Sequence, residues 1–270
     1  MKTLYATGVS GTIGKHLPDS VRSISIDLSS DRENFRSIEF AEDSNIIHLA
    51  GIVGPTMVER DIQYAHRVNV EGAKSLAAEF LDKSNGIFYY VSTSHVYAPS
   101  LEILSETSLI RPVNLYAQQK REAEIALESI FATEIERLCI VRIFSVLDWD
   151  TAAFTLGGAV RNLASQDPNF ILRNAADMRD FLTPNTIARV LFKMAHTGTA
   201  PGVVNLCSGV GISVGGAAMQ MLLESDILPD ENKIVWEKSA SPFVVGDNSL
   251  LKSLNLELNL TWIPSRILDH

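Results

Sequence analysis

The sequence predicts an α/β fold: a doubly wound parallel sheet with a small C-terminal lobe interleaved with it. Three observations predict this. In the first half of the chain, short apolar runs alternate with helical patterns, the rhythm of strands joined by crossover helices. The apolar runs are continuous rather than alternating, as strands covered on both faces require. A glycine-rich turn, Gly8 to Gly14, directly follows the first of these runs.

Leu4–Thr7 reads as the first strand, Thr12–Leu17 as a short helix stopped by Pro18, and Ser23–Asp27 as the second strand. Residues 31–42 form a further helix, Asn45–Ala50 an apolar strand and 58–83 a long amphipathic helix. Ile87–Val91 is the next strand, followed by a helix over 114–133 and the strand Leu138–Phe144. After residue 145 the rhythm loosens, with a helix over 152–165 and a loop-rich stretch over 166–183. Thr183 then offers an N-cap, and Pro184 the first position of a helix reaching His196. A strand Val203–Leu206, a helix over 213–225 and a strand Lys233–Trp236 complete the pattern.

The composition sets limits on function. At 270 residues, 46% hydrophobic and 20% charged, the chain can bury a sizeable core without a staple. Lys and Arg number 23 against 32 Asp and Glu, a formal net charge of −9. Without a basic cluster there is no electrostatic footprint for nucleic acid or an anionic membrane. An anionic ligand must therefore be held by a few placed groups. No apolar run approaches the roughly 20 residues that span a bilayer. Residues Met1–Ala6 run straight into the glycine turn without a signal-peptide core. Cys139 and Cys207 lie in apolar strand-like runs and are too few for a disulfide framework or a metal centre. They read as buried thiols of a reducing cytoplasm, in a protein with no metal.

The glycine turn is the first functional signal. Thr7-Gly8-Val9-Ser10-Gly11-Thr12-Ile13-Gly14 has G-x-x-G-x-x-G spacing between a strand and a helix. Gly8 makes the tight turn, Gly11 lets a pyrophosphate approach the helix N-terminus, and Gly14 lets that helix pack on the strand. Ser10, Thr12 and Ile13 share the turn and are candidate cofactor contacts. Asp27 follows 13 residues beyond Gly14. A carboxylate there accepts both hydroxyls of an adenosine ribose and repels a 2′-phosphate, favouring NAD over NADP. The competing reading is a cap on the turn Asp-Leu-Ser-Ser. Residues 1–150 are thus assigned to a dinucleotide-binding Rossmann domain, with 184–207 returning to it, and 151–270 mainly to a substrate-binding lobe.

The second signal is Tyr116 with Lys120, four residues apart on one helical face. A free tyrosine has a pKa of about 10, and a neighbouring ammonium lowers the cost of deprotonating it. Such a tyrosine exchanges a proton with an alcohol or carbonyl while hydride moves to or from nicotinamide. Hydroxyls in Val91-Ser92-Thr93-Ser94-His95-Val96-Tyr97 lie where an open α/β sheet places its ligands.

With these pieces the chain resembles the extended short-chain dehydrogenases/reductases, and within them the nucleotide-sugar epimerases, dehydratases and 4-keto reductases. The likeness runs through TGVSGTIG, His48-Leu49-Ala50, Asn69-Val70-Glu71-Gly72, Ser92 to Tyr97, and Pro112 with Tyr116 and Lys120. It continues through Arg142-Ile143-Phe144, Arg179-Asp180-Phe181, Asn205 to Gly209 and Asp247-Asn248-Ser249. It implies that Thr93 holds the substrate oxygen, Tyr116 is the acid/base, and Lys120 anchors the ribose and tunes the tyrosine. It adds Leu49, Ala50 and Gly51 to the cofactor contacts and Ser94, Ser145 and Arg179 to the substrate contacts. Arg179 matches an arginine near the nucleotide diphosphate, with an Arg179–Asp180 surface pair as the competing reading. Asn69 reads equally as a packing amide, Arg142 as structural, and His95 as a loop histidine near the substrate. The likeness also implies a homodimer paired through the two long helices.

The departures narrow the chemistry. Ser94 and His95 stand where family dehydratases carry an Asp-Glu pair, which argues against dehydration. Ser145 replaces the nucleotide-contacting Asn, Leu147-Asp148 replaces Tyr-Gly, and Pro184-Asn185-Thr186 replaces V-D-D. The missing β-α pair after Asp27 is shared with 4-keto-6-deoxy-sugar reductases. The expected activity is NAD(P)-dependent hydride transfer at a sugar carbon, C4 of a nucleotide-linked sugar, as an epimerase or keto-reductase. A reductase or dehydrogenase of a free sugar acid or other small carbonyl compound is the alternative. A silent NAD(P)-binding sensor is the reading from another class.

Overall fold

The computed structural model describes residues 2–147, 149, 155–165, 167, 169–228, 230–240 and 242–256. Ten strands occur among them: β1 (Thr3–Thr7), β2 (Arg22–Ile24), β3 (Ser44–His48), β4 (Phe88–Thr93), β5 (Leu138–Ile143), β6 (Ser145–Val146), β7 (Met178–Leu182), β8 (Val203–Leu206), β9 (Gly211–Ser213) and β10 (Phe243–Val244). Six form one sheet in the order β2-β1-β3-β4-β5-β8, with every neighbouring pair parallel. This is the parallel sheet that the strand–helix rhythm predicts. Chain order reverses between β1 and β3, and a crevice opens at such a switch point beyond the strands' carboxyl ends.

Both faces of the sheet are covered, which is why its strands read as continuous apolar runs. Helices α1 (Arg32–Phe35), α2 (Pro55–Arg60), α3 (Ile62–His66), α4 (Ala73–Lys83) and α5 (Leu115–Ile130) come from the first half of the chain. On one face Leu76 and Phe80 of α4 and Leu127 of α5 pack with Ile46, Phe88 and Ile140. Further along the chain lie α6 (Leu156–Ala164), α7 (Pro184–Thr197), α8 (Val214–Glu224) and α9 (Ser249–Ser253). On the opposite face Ile187, Leu191 and Met194 of α7 pack with Tyr89, Val141 and Leu206. Each such side chain, fully buried, is worth about 1.5–3 kcal/mol.

The second, smaller sheet runs β10-β7-β6, with β9 antiparallel to β7. Val160 and Leu163 of α6 pack there against Ala218 and Leu222 of α8. Asp180 of β7 joins three segments, accepting the backbone N–H groups of Ser208 (2.7 Å), Gly209 (2.8 Å) and Gly246 (3.3 Å).

Several elements differ from expectation. The Thr12–Leu17 helix is only a 3-10 turn, Gly14–His16, because Pro18 denies it a further donor. The helix over 31–42 closes at Phe35, which fills the core beside α4. The 58–83 helix is divided: Asp61 takes an extended conformation and caps α3 through the Tyr64 N–H. A π-helical segment, Arg67–Gly72, then precedes α4. Lys233–Trp236 is not a strand. A 3-10 turn Glu231–Lys233 leads to one isolated bridge between Ile234 and Leu172. Residues 152–154 of the 152–165 helix, and Asp148, lie outside the described residues.

Candidate active site

The glycine turn caps β1. Gly8 has φ +70°, and a Cβ there would sit 2.7 Å from the Ala50 nitrogen. A Cβ on Gly14 would collide with the Gly8 carbonyl oxygen. Between them the exposed Gly11 donates its N–H to that same oxygen at 3.0 Å. Ser10 is exposed beside it, while Thr12 and Ile13 are half-buried. Only a backbone without side chains can fold this tightly against the Leu49–Gly51 loop. That loop is itself pinned. The Ala50 N–H donates to the Thr7 hydroxyl at 3.2 Å, and that hydroxyl shares a 2.7 Å hydrogen bond with His48 Nδ1. Burial, with the Lys120 charge nearby, pushes His48 down to about 3, so it is a neutral strut.

Asn69, in the π-helical segment, accepts the Ile52 N–H at 2.8 Å and donates to the Ile52 carbonyl at 3.0 Å. Its amide also donates to Gln119 of α5 at 3.0 Å, tying the loop after β3 to the Tyr116 helix. Asn69 is thus a positioning amide. π-helical turns recur at functional sites, where the extra residue re-aims a side chain.

Asp27 does not close the second strand, which ends at Ile24. It is exposed in the following turn, where one carboxylate oxygen accepts the Ser29 hydroxyl (2.7 Å) and N–H (2.9 Å). These bonds hold its pKa below the usual carboxylate value. The turn-capping role is therefore present in this chain.

Thr93 ends β4, and its hydroxyl accepts the His95 N–H at 3.3 Å, opening the 3-10 turn Ser94–Val96. Asn114 caps α5 by accepting the Ala117 N–H at 2.9 Å, which fixes the entry angle of Tyr116. Tyr116 lies beside Thr93. Burial pushes the phenol up to about 12, the neighbouring Thr93 hydroxyl opposing. The lowering expected from Lys120 is absent: the ammonium lies instead 4.1 Å from the Tyr90 ring centroid and donates to the Val91 carbonyl at 2.6 Å. Loss of water pushes Lys120 down to about 7, against the pull of Glu124.

Other expected residues gather around this pair unevenly. His95 is solvent-accessible, with its ring edge-on to Tyr116 and centroids 6.2 Å apart. Arg179 projects from β7 of the small sheet close enough for its charge to depress the His95 pKa, after the larger effect of partial desolvation by the surrounding protein. Its partner is Asp177 at 2.9 Å, not Asp180, and it is half-buried, so the Arg179–Asp180 surface pair does not exist. Ser94 is buried inside its turn, and Ser145 opens β6 opposite Phe181.

Behind the pair lies a network that the sequence reading did not assemble. The Glu124 carboxylate, wholly buried one turn beyond Lys120, accepts Ser92 (2.5 Å), Arg121 (2.8 Å) and both ends of Arg142 (3.1 and 2.8 Å). Arg142 also donates to the Tyr97 oxygen at 3.1 Å, and Tyr97 donates to Asn205 at 2.6 Å. The available signal was Glu124 at i+4 from Lys120, on the same helical face as Tyr116 and Lys120.

Residues 14–207 match the model of the NAD dependent epimerase/dehydratase family. The chain belongs to this family. Family membership makes it an NAD(P)-dependent enzyme of the extended short-chain dehydrogenase type, and the glycine turn fits that cofactor. It is 25% identical over 269 residues to a GDP-6-deoxy-D-talose 4-dehydrogenase of Aggregatibacter actinomycetemcomitans, covering 92% of this chain and 89% of that one. It is 26% identical over 226 residues to a GDP-6-deoxy-D-mannose reductase of Pseudomonas aeruginosa, covering 76% and 74%. Among solved structures, RMD from Pseudomonas aeruginosa complexed with NADPH superposes with a TM-score of 0.79 at 22% identity, covering 94% and 92%. That last likeness is one of fold. Among the described residues no helix is long and apolar enough to cross a membrane, and no cluster of His, Cys, Asp and Glu could hold a metal.

Proposed function

We propose that this enzyme transfers hydride at C4 of a GDP-linked 6-deoxyhexose, chiefly reducing the 4-keto sugar, with Tyr116 as proton donor. The observation that carries the reading is the closeness of Thr93, at the carboxyl end of β4, to Tyr116 of α5, near enough for the threonine hydroxyl to bear on the phenol. A sugar carbonyl oxygen beside these two hydroxyls accepts a hydrogen bond from Thr93 and a proton from Tyr116. A nicotinamide, when bound, supplies the hydride. Burial keeps Tyr116 protonated at neutral pH, which is the form that donates to a carbonyl. Lys120, one turn on, is assigned to the nicotinamide ribose, which its ammonium would hydrogen-bond; it does not lower the phenol here.

The backbone N–H groups around Ser10 to Ile13 suit the cofactor pyrophosphate. The second carboxylate oxygen of Asp27 suits the adenosine ribose, which favours NAD over NADP. Arg179 offers its guanidinium to the sugar-nucleotide diphosphate. The two relatives named for GDP-6-deoxy sugars support this substrate class. Ser94 and His95 leave no carboxylic acid there for eliminating water. Pairing of two copies through α4 and α5, where Ile125 is exposed, belongs to the same reading, with sedimentation velocity as its check.

The test is incubation of the purified protein with GDP-4-keto-6-deoxymannose and either NADH or NADPH. The expected result is oxidation of NADH, faster than of NADPH, with a GDP-6-deoxyhexose product by mass spectrometry. Interconversion of two GDP-hexoses without net nicotinamide oxidation would make the enzyme an epimerase. Inertness toward GDP sugars would overturn the substrate class.

A further inference from the structure

We propose that His95 hydrogen-bonds the C3 hydroxyl of the sugar and sets the enzyme's selectivity at that carbon. The inference rests on the C4 reading above. The reacting oxygen belongs beside Thr93 and Tyr116, and His95 adjoins both: its backbone N–H donates to the Thr93 hydroxyl at 3.3 Å, and its ring lies edge-on to Tyr116 with centroids 6.2 Å apart. The imidazole is solvent-accessible, unlike the neighbouring Ser94 and Val96, which are buried. The one exposed side chain of this 3-10 turn therefore stands at the site's mouth, next to where C4 reacts.

In a 6-deoxy-4-ketohexose the two carbons flanking C4 differ sharply. C5 carries a methyl group and the ring oxygen, so the only hydroxyl next to the reacting carbon is at C3. A hydroxyl both donates and accepts, and so does a neutral imidazole. Crowding by the protein around the ring, which is nonetheless open to solvent, and the Arg179 charge both favour that neutral form. An imidazolium, which only donates, would suit the diphosphate instead, and Arg179 already brings a cation toward this place. The division of labour follows from charge: Arg179 for the anion, His95 for the alcohol.

The experiment compares the wild type, His95→Ala and His95→Gln on GDP-4-keto-6-deoxymannose and on its 3-deoxy analogue, reading kcat/KM and KM separately. One neutral hydrogen bond is worth about tenfold. The wild type should prefer the parent sugar by about that factor. His95→Ala should lose about tenfold on the parent sugar, mostly in KM, and show no preference between the two sugars. His95→Gln, whose amide also donates and accepts, should recover part of the preference. If His95→Ala keeps the full wild-type preference, the contact is overturned while the C4 reading stands. Deuterium appearing at C3 or C5 in the wild type and not in His95→Ala would overturn it too, since His95 would then be a proton-transfer base. A wild type inert toward both sugars overturns the C4 reading and this contact with it.

Discussion

The Lys120 ammonium lies 4.1 Å from the centre of the Tyr90 ring, with the Val91 carbonyl accepting one of its protons at 2.6 Å. A cation over an aromatic face is attracted to it, but burial takes away more than the ring returns, and the pKa falls to about 7. The role proposed for Lys120 needs the charged form. In the free enzyme, kcat/KM should therefore fall as pH rises through about 7. Stability has the opposite sign. The unfolded lysine keeps its proton up to its ordinary value of 10.5, so between about 7 and 10.5 the unfolded chain binds more protons. This group's contribution to stability thus rises with pH across that window. Lys120→Met should abolish the rise, and urea midpoints at a series of pH values would show it.

Tyr116→Phe removes one oxygen and leaves the ring packed against Val58 and Ala65. Folding and NAD affinity should change little. Turnover should fall by about 10²–10⁴-fold, the usual contribution of general acid–base catalysis. Thr93→Ala should cost less, because the proton donor remains. Near-normal turnover in Tyr116→Phe, with calorimetry confirming cofactor binding, would reduce the Tyr–Lys helix to a structural coincidence.

Much of this was legible in the sequence, for identifiable reasons. The parallel sheet announced itself because strands buried on both faces must be apolar throughout, as Asn45–Ala50 and Ile87–Val91 nearly are. The glycine turn was legible because a side chain on Gly8 or Gly14 would strike backbone. The Tyr116–Lys120 spacing follows from the helical repeat. What sequence could not reveal were relationships between distant segments. Nothing local says that Glu124 meets Arg142 or that Asn69 grips Ile52, since both depend on how helices settle on the sheet. Nor does the primary sequence reveal that Tyr116 would be pushed up rather than down. That depends on burial, and on the ammonium turning toward Tyr90.

Asp27 should decide cofactor choice. One of its oxygens is engaged by Ser29, which keeps the carboxylate ionised and oriented. A 2′-phosphate beside it would be a like-charge contact. The wild type should bind NADH more tightly than NADPH, and Asp27→Ala should narrow the gap. Asp27→Asn keeps an acceptor for Ser29 and loses the charge, so it separates the turn from the electrostatics. Fluorescence titration with both cofactors is the measurement, and tighter NADPH binding by the wild type would remove Asp27 from this role.

Glu124 and Arg142 carry the sharpest stability prediction. Both are buried, with side-chain exposures of 0% and 4%, and they meet through two hydrogen bonds. Burial alone would raise the Glu124 pKa, but hydrogen bonds and charge from Arg142, with Ser92 and Arg121 adding to them, hold it below the ordinary value. Its contribution to stability is therefore present above the unfolded carboxyl's pKa and lost as pH falls through the folded one. Glu124→Ala strands the Arg142 guanidinium in the interior, whereas Arg142→Ala leaves the Glu124 carboxylate with Arg121 as its remaining cation. The first should cost about 3–5 kcal/mol, because an unpaired buried charge is expensive, and the second less. Glu124→Leu with Arg142→Leu removes both charges and refills the volume, so the pair should cost far less than the sum of the two alanine variants. Urea denaturation of all three variants measures this. Additive losses would mean that the pair contributes only packing. The double leucine variant should also lose turnover despite its recovered stability, since Ser92 and Tyr97, released from the network, no longer hold the end of β4 that carries Thr93.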